Sequence, residues 1–187
     1  ILIGLDKDLV DQIILDREWI LDGIIDKNRK KIPKNCKFLG NDNNYKRNLS
    51  DSLFLSTLDD PDLKKKVVEK YYKGQNFTNF YSKYSYISKS VKIGIGNIFQ
   101  RNIKIMADVK IGDHCKINLD VCIHHDSRIG NFNTLCPGVR LLGNVKIGNN
   151  VFIGSEAKIL PNIKIEDNCV IGAGSVVNRN VRKNCQV

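Results

Sequence analysis

From residue 93 to residue 177 the chain places an aliphatic or aromatic side chain at every sixth position. The series runs Ile93, Phe99, Ile105, Ile111 and on through Ile123, Leu135 and Ile153 to Ile171 and Val177, without a slip. A fixed period of six over so many units marks a stacked solenoid and predicts a β-helix of short strands. The residue two positions earlier is usually small or β-branched, as at Val91, Val109, Cys115, Val121, Val145, Ala157 and Cys169. Side chains two apart on a strand share a face, so both sets point inward and the residue between them points to solvent. Lys92, Lys104, Lys110, Lys116, Arg128, Arg140, Lys146, Lys158 and Lys164 hold those intervening positions. The pattern predicts a thin apolar column wrapped in positive charge. Glycine often follows the buried aliphatic residue (Gly94, Gly112, Gly130, Gly148), with Asn or Asp next, as sharp corners between short strands require.

This run resembles the left-handed β-helix of the hexapeptide-repeat acyltransferases over about residues 87 to 181. The resemblance implies that three hexapeptides make one triangular coil, so positions 18 apart stack and about five coils fit. No loop insertion breaks the register. The likeness speaks for fold more than for substrate.

The first eighty residues read differently. Ile1-Leu2-Ile3 predicts a strand, Leu9-Val10 with Ile13-Ile14 a helix, and Trp19-Ile20-Leu21 through Ile24-Ile25 a second strand ending at Asp26. Leu53-Phe54-Leu55 predicts another strand, and Pro61 opens a helix containing Lys64, Val67 and Val68. Alternation of strands and helices predicts a small parallel α/β, Rossmann-like unit over residues 1–82. Residues 77–85 read as its last strand and a linker into the β-helix domain, residues 83–187.

The chain has 187 residues, 42% hydrophobic and 27% charged, with no apolar stretch of spanning length, and we expect no secretory leader. We expect no membrane insertion. The six cysteines lack metal-ligand spacing and the density of a disulfide scaffold, and Cys115 and Cys169 fall on inward positions. They predict core thiols, a reducing cytoplasmic setting and no metal. A net charge of +10 raises nucleic acid as a partner, but the aromatic residues do not alternate with the lysines as a base-stacking platform requires. A field attracting small phosphorylated ligands is the better reading, with no nucleic acid bound.

A small Rossmann-like unit ahead of a regular β-helix is similar to one subgroup, the sugar acyltransferases of the sialic-acid O-acetyltransferase and nucleotide-aminosugar N-acetyltransferase type. The residues that carry this likeness are Cys122-Ile123-His124-His125-Asp126-Ser127-Arg128-Ile129-Gly130, Gly143-Asn144-Val145, Leu160-Pro161-Asn162 and Ile171-Gly172-Ala173-Gly174. The resemblance implies a catalytic base at His125 with Asp126 beside it, and His124 as the alternative base. Acyl transfer from a thioester requires the attacking amine or hydroxyl to lose a proton. An imidazole, with an unperturbed pKa of about 6.5, can accept it at cellular pH, and a carboxylate can fix the ring's tautomer. The likeness further implies acetyl-CoA as cosubstrate, held near Gly143, Thr134 and Ala173, with a backbone N–H near Gly143 facing the oxyanion. Thr134 stands where many relatives carry a second histidine. Asp26, Lys27 and Lys64 are the expected contacts to a sugar nucleotide. The turn Leu5-Asp6-Lys7-Asp8 departs from the subgroup's glycine-rich phosphate turn, as does Asp59-Asp60 after the third predicted strand. His114 reads as a surface residue.

The resulting expectation is a homotrimeric, acetyl-CoA-dependent N-acetyltransferase acting on a nucleotide-linked 4-amino sugar in surface glycan synthesis. Sugar or sialic-acid O-acetylation is the alternative, and a non-catalytic β-helix scaffold the third reading.

Overall fold

The computed structural model describes residues 1–16, 18–45 and 52–187. The six-residue period folds as three parallel sheets. The first face stacks Lys92–Ile93, Lys110–Ile111, Arg128–Ile129, Lys146–Ile147 and Lys164–Ile165. The second stacks Phe80–Tyr81, Ile98–Phe99, Lys116–Ile117, Thr134–Leu135, Phe152–Ile153 and Val170–Ile171. The third runs from Tyr86–Ile87 through Cys122–Ile123 and Arg140–Leu141 to Val176–Val177. Each internal strand pairs with the strands 18 residues before and after it, as Lys110 does with Lys92 and Arg128. The result is a left-handed parallel β-helix with one continuous core of the period-six aliphatics and the small residues two before them.

The corners follow from the residues between the strands. One residue in every six takes a left-handed backbone, among them Gly96, Asn102, Asp108, Asp120, Asp126, Gly138, Asn144 and Asn162. Asn, Asp and Gly tolerate that conformation best. At the first-to-second corner, the Oδ1 atoms of Asp113, Asn131, Asn149 and Asp167 accept the N–H of the residue 18 earlier at 2.8–2.9 Å. Each of these side chains lies over the glycine of the coil below, so a Cβ on Gly94, Gly112, Gly130 or Gly148 would collide with it. That contact is the reason for the glycine followed by Asn or Asp. Inside the same corner Asn97 is fully buried, its Oδ1 accepting from Cys115 N at 2.7 Å and its Nδ2 donating to Gly112 O at 2.9 Å. The column is therefore not purely apolar; its buried amides close the corners.

The N-terminal unit is a four-stranded parallel sheet of order β3-β2-β1-β4. Its elements are β1 (Leu2–Ile3), α1 (Lys7–Asp16), β2 (Ile24–Ile25), β3 (Phe38–Gly40), β4 (Leu55–Ser56) and α2 (Pro61–Tyr71). Asp6 starts α1 by accepting from Leu9 N at 2.9 Å, and Asp60 caps α2 through Leu63 N at 2.9 Å with Pro61 in the first turn. Two expectations shift. The second strand is confined to Ile24–Ile25, and Ile20 stands 90% exposed outside it. Phe80–Tyr81 pairs with Ile98–Phe99 and so opens the solenoid rather than closing the α/β sheet.

The two units meet on the second face and its neighbouring corner. The six-residue pattern places Lys116 among the solvent-facing lysines; in the structure it is buried, because the α/β unit covers this face. Its Nζ lies 2.8 Å from Asp6 Oδ2 and 2.7 Å from Asp59 Oδ1, and donates to Thr57 O at 3.0 Å. Burial opposes the charge, but Asp6 and Asp59 outweigh it and hold the ammonium above the ordinary lysine range. Removing one partner of such a buried pair typically costs about 3–5 kcal/mol. Lys64 enters from α2, fully buried, and donates to Thr134 Oγ1 at 3.0 Å, His114 O at 3.2 Å and Asn133 O at 3.3 Å. His114 is likewise buried rather than on the surface. It stacks on Phe132 at 4.9 Å and meets Phe77 edge-on at 4.6 Å, and burial lowers its pKa. His114 and Phe132 both carry left-handed backbones, at φ 57° and 59°.

Burial pushes the Lys64 ammonium down to about 8, against an unfolded value near 10.5. A base whose folded pKa is depressed costs stability while it is charged, and the unfolded chain binds the extra proton between the two values. Stability should therefore rise as pH increases from about 8 toward about 10.5. Lys64→Met should flatten that rise, as read by urea midpoints of parent and variant across the window; identical slopes would refute it.

Candidate active site

His125 sits on the corner joining the third face to the first, between Cys122–Ile123 and Arg128–Ile129. Asp126 is that corner's left-handed residue, with φ 62°. Its Oδ2 lies 2.8 Å from His125 Nδ1, and the two side chains are 63% (His125) and 60% (Asp126) exposed. With Nδ1 engaged by the carboxylate, Nε2 is the nitrogen left to exchange a proton with a ligand.

Gly143 occupies the equivalent corner one coil on. A Cβ built there would stand 3.0 Å from both Cε1 and Nε2 of His125, so the bare glycine is the seat on which the ring rests. The two corners are tied together around it. Asn144 N donates to His125 O at 3.0 Å, and Ser127 Oγ donates to Leu142 O and accepts from Val145 N, each at 3.2 Å. Ser127, buried at the small inward position two before Ile129, thus ties the His125 corner to the Gly143 corner. Its position 18 residues before Val145 was the available signal. His124, one residue earlier, is half-buried, with its N–H bonded to Leu141 O at 2.9 Å.

The other predicted residues are not gathered at this corner within one chain. Ala173 is exposed on the second-to-third corner, its backbone packed over Gly154. Thr134 lies on the second face, fully buried beneath Lys64, and so presents no hydroxyl to a coenzyme in this arrangement. Lys64 spends its ammonium on three oxygens of the solenoid and offers none to a phosphate. Asp26 is half-buried: Oδ2 accepts from Leu5 N at 2.9 Å and Oδ1 from Asn28 N at 2.8 Å, so it binds the first turn of the α/β unit to the end of β2. Lys27 is exposed and lines a cavity of about 750 Å³ with Asn41, Asp42, Lys66, Lys70 and Tyr71. The turn after β1, where a doubly wound sheet receives phosphates, is taken by the Asp6 to Lys116 ion pair.

Residues 144–179 match the family described as bacterial transferase hexapeptide (six repeats). That match lies in the later coils of the solenoid. No curated protein matches it in sequence at a significant level. Solved structures share its whole architecture. A histidine-to-asparagine mutant of perosamine N-acetyltransferase from Caulobacter crescentus, in complex with CoA and GDP-perosamine, superposes with a TM-score of 0.87 at 23% identity, over 99% of this chain and 90% of that one. The acetyltransferase domain of PglB from Neisseria gonorrhoeae, in complex with acetyl coenzyme A, gives 0.86 at 18% identity, covering 100% and 93%. WeeI from Acinetobacter baumannii gives 0.86 at 20% identity, covering 100% and 94%. An α/β unit followed by a hexapeptide solenoid is therefore the fold of this chain.

Gly143→Ala tests the seat. The added methyl should push the ring off Asp126 with little change in melting temperature, because His125 is exposed and free to move. The expected reading is a shifted His125 imidazole signal by NMR and, if the ring is the base, a loss of activity of up to about 10²-fold.

Proposed function

We propose that the protein is an acetyl-CoA-dependent N-acetyltransferase acting on a nucleotide-linked amino sugar of bacterial surface glycans, in the cytoplasm. The observation that carries this reading is the His125 and Asp126 pair resting on Gly143, in a fold shared with acetyltransferases solved with CoA, acetyl-CoA and GDP-perosamine. Nε2 of His125 takes the proton from the sugar amine as its nitrogen attacks the thioester carbonyl. Asp126 holds the tautomer and stabilises the imidazolium. The N–H of Gly143 donates to the oxyanion; collapse of the tetrahedral adduct breaks the C–S bond and expels the coenzyme thiolate, which takes the proton back from the His125 imidazolium.

His125 stands on an open corner, so a second copy packed against it would complete a cleft, and we propose a homotrimer in which each site lies between neighbouring chains. Ala173 is then a coenzyme contact offered by the adjoining subunit, while Asp26 and Lys27 lie on the nucleotide side of the acceptor. One observation favours the sugar O-acetyltransferase reading instead. The first turn is occupied by Asp6 and its partner Lys116, which suits an acceptor that places no diphosphate there.

A coenzyme-release assay against UDP-, GDP-, dTDP- and CMP-linked amino sugars, free amino sugars and sialic acid separates the two readings. Turnover confined to a nucleotide-linked amine supports N-acetylation; turnover on sialic acid alone moves the assignment to O-acetylation. With the true acceptor, His125→Ala should lower kcat by about 10²- to 10⁴-fold with little change in coenzyme affinity. Light scattering should report three chains per particle. An active monomer at micromolar concentration would overturn the shared cleft.

A further inference from the structure

The charge of the solenoid is unevenly placed around its three faces. Residues 83–187 hold fifteen basic and seven acidic residues, eight of the chain's ten net positive charges. The first face presents Lys92, Lys110, Arg128, Lys146 and Lys164 as one column, all exposed and paired row to row along the parallel sheet. Such rows are about 4.8 Å apart, and like charges directly opposite one another destabilise a sheet. The third face adds Lys104, Arg140 and Lys158 at its outward positions. These two faces meet at the corner that carries His125.

The acidic residues lie elsewhere. That corner holds only Asp108 and Asp126, and Asp126 already faces His125. Asp113, Glu166 and Asp167 stand on the first-to-second corner, and Asp120 and Glu156 on the second-to-third. Among the described residues the first-face column makes one ion pair, Lys164 with Glu166 at 2.9 Å. The second face, opposite His125, spends its lysine internally on Asp6 and Asp59.

We infer that the two cationic faces are an electrostatic guide that draws phosphate-bearing substrates toward the His125 corner. This rests on the acetyl-transfer reading given above. Unpaired cations held on a rigid sheet around one corner raise the local concentration of anions without contacting the reacting groups, and charge steering of this kind raises capture rates by about 10- to 10³-fold at low ionic strength. The shared chemistry is the phosphate ester, supplied by the coenzyme's diphosphate and 3′-phosphate and by the diphosphate of a sugar nucleotide.

The test compares the full-length parent with Lys104→Gln/Lys110→Gln/Lys146→Gln/Lys158→Gln, from about 10 to 300 mM KCl, where the screening length contracts from about 30 Å to below 10 Å. A control, Lys30→Gln/Lys31→Gln/Lys34→Gln/Lys37→Gln, makes the same net change on exposed residues of the α/β unit. The guide variant should lose about tenfold in kcat/KM at low salt, with kcat unchanged and a flatter salt slope. The control should stay near the parent. Dephospho-coenzyme A in place of the coenzyme, and a free amino sugar in place of the nucleotide-linked one, assign the slope to one substrate or the other. A guide variant equal to the parent or to the control overturns the inference. So does a parent whose kcat/KM is indifferent to salt, a result that needs no variant to fold. A parent that transfers acetyl to none of the acceptors instead defeats the acetyl-transfer reading.

Discussion

Parallel strand pairing in a constant register of 18 residues holds each coil to the next, and the rest of the molecule depends on that register. It converts a linear period into columns: aliphatic side chains inside, amides at one corner, cations along two faces. Because the strands inside each stack are paired on both sides, strands of two residues suffice where isolated ones would not persist. The same offset puts Gly143 over His125 and Ser127 against Val145. A one-residue slip anywhere between them would turn the buried set outward and separate the ring from its seat.

The second constraint is the junction. Two lysines leave water there, one against carboxylates and one against neutral oxygens, and their titration diverges accordingly: Lys116 is held charged, while Lys64 is pushed toward neutrality. Three carboxylates of the turns after β1 and β4 are spent on structure. Asp6 caps α1 while pairing with Lys116, Asp59 pairs with the same lysine, and Asp60 caps α2. The acids that make this chain depart from a glycine-rich phosphate turn thus have a mechanical role in binding the α/β unit to the solenoid.

The solenoid and the His125 corner were legible in the sequence because period, corner chemistry and the resemblance agreed over ninety residues. The junction was hidden by reading outward positions in sixes. Taken in eighteens, the second face reads Ile98, Lys116, Thr134, Phe152 and Val170, with one lysine where the first face has an unbroken basic column. That change of composition is the trace of a covered face, and it explains why Lys116, Thr134 and His114 are buried rather than presented to ligands. Lys64 lay beyond local reading altogether, since its partners are 50 to 70 residues away. Strands of two or three residues carry too few alternations to be separated from their loops, which is why the sequence pattern misplaces Ile20 in the α/β unit and Phe80 at the start of the solenoid.

The junction also divides the solenoid along its length. Its polar ties run from Gln100, near Asp6, to Asn150, whose Nδ2 donates to Asp62 at 2.7 Å. A stack in which each repeat touches only its neighbours frays from its ends, one coil at a time, unless something spans several coils at once. The α/β unit is such a splint. The coils bearing His125 and Gly143 fall inside the splinted span, so thermal fraying of the later coils stops short of the corner where the ring and its glycine meet.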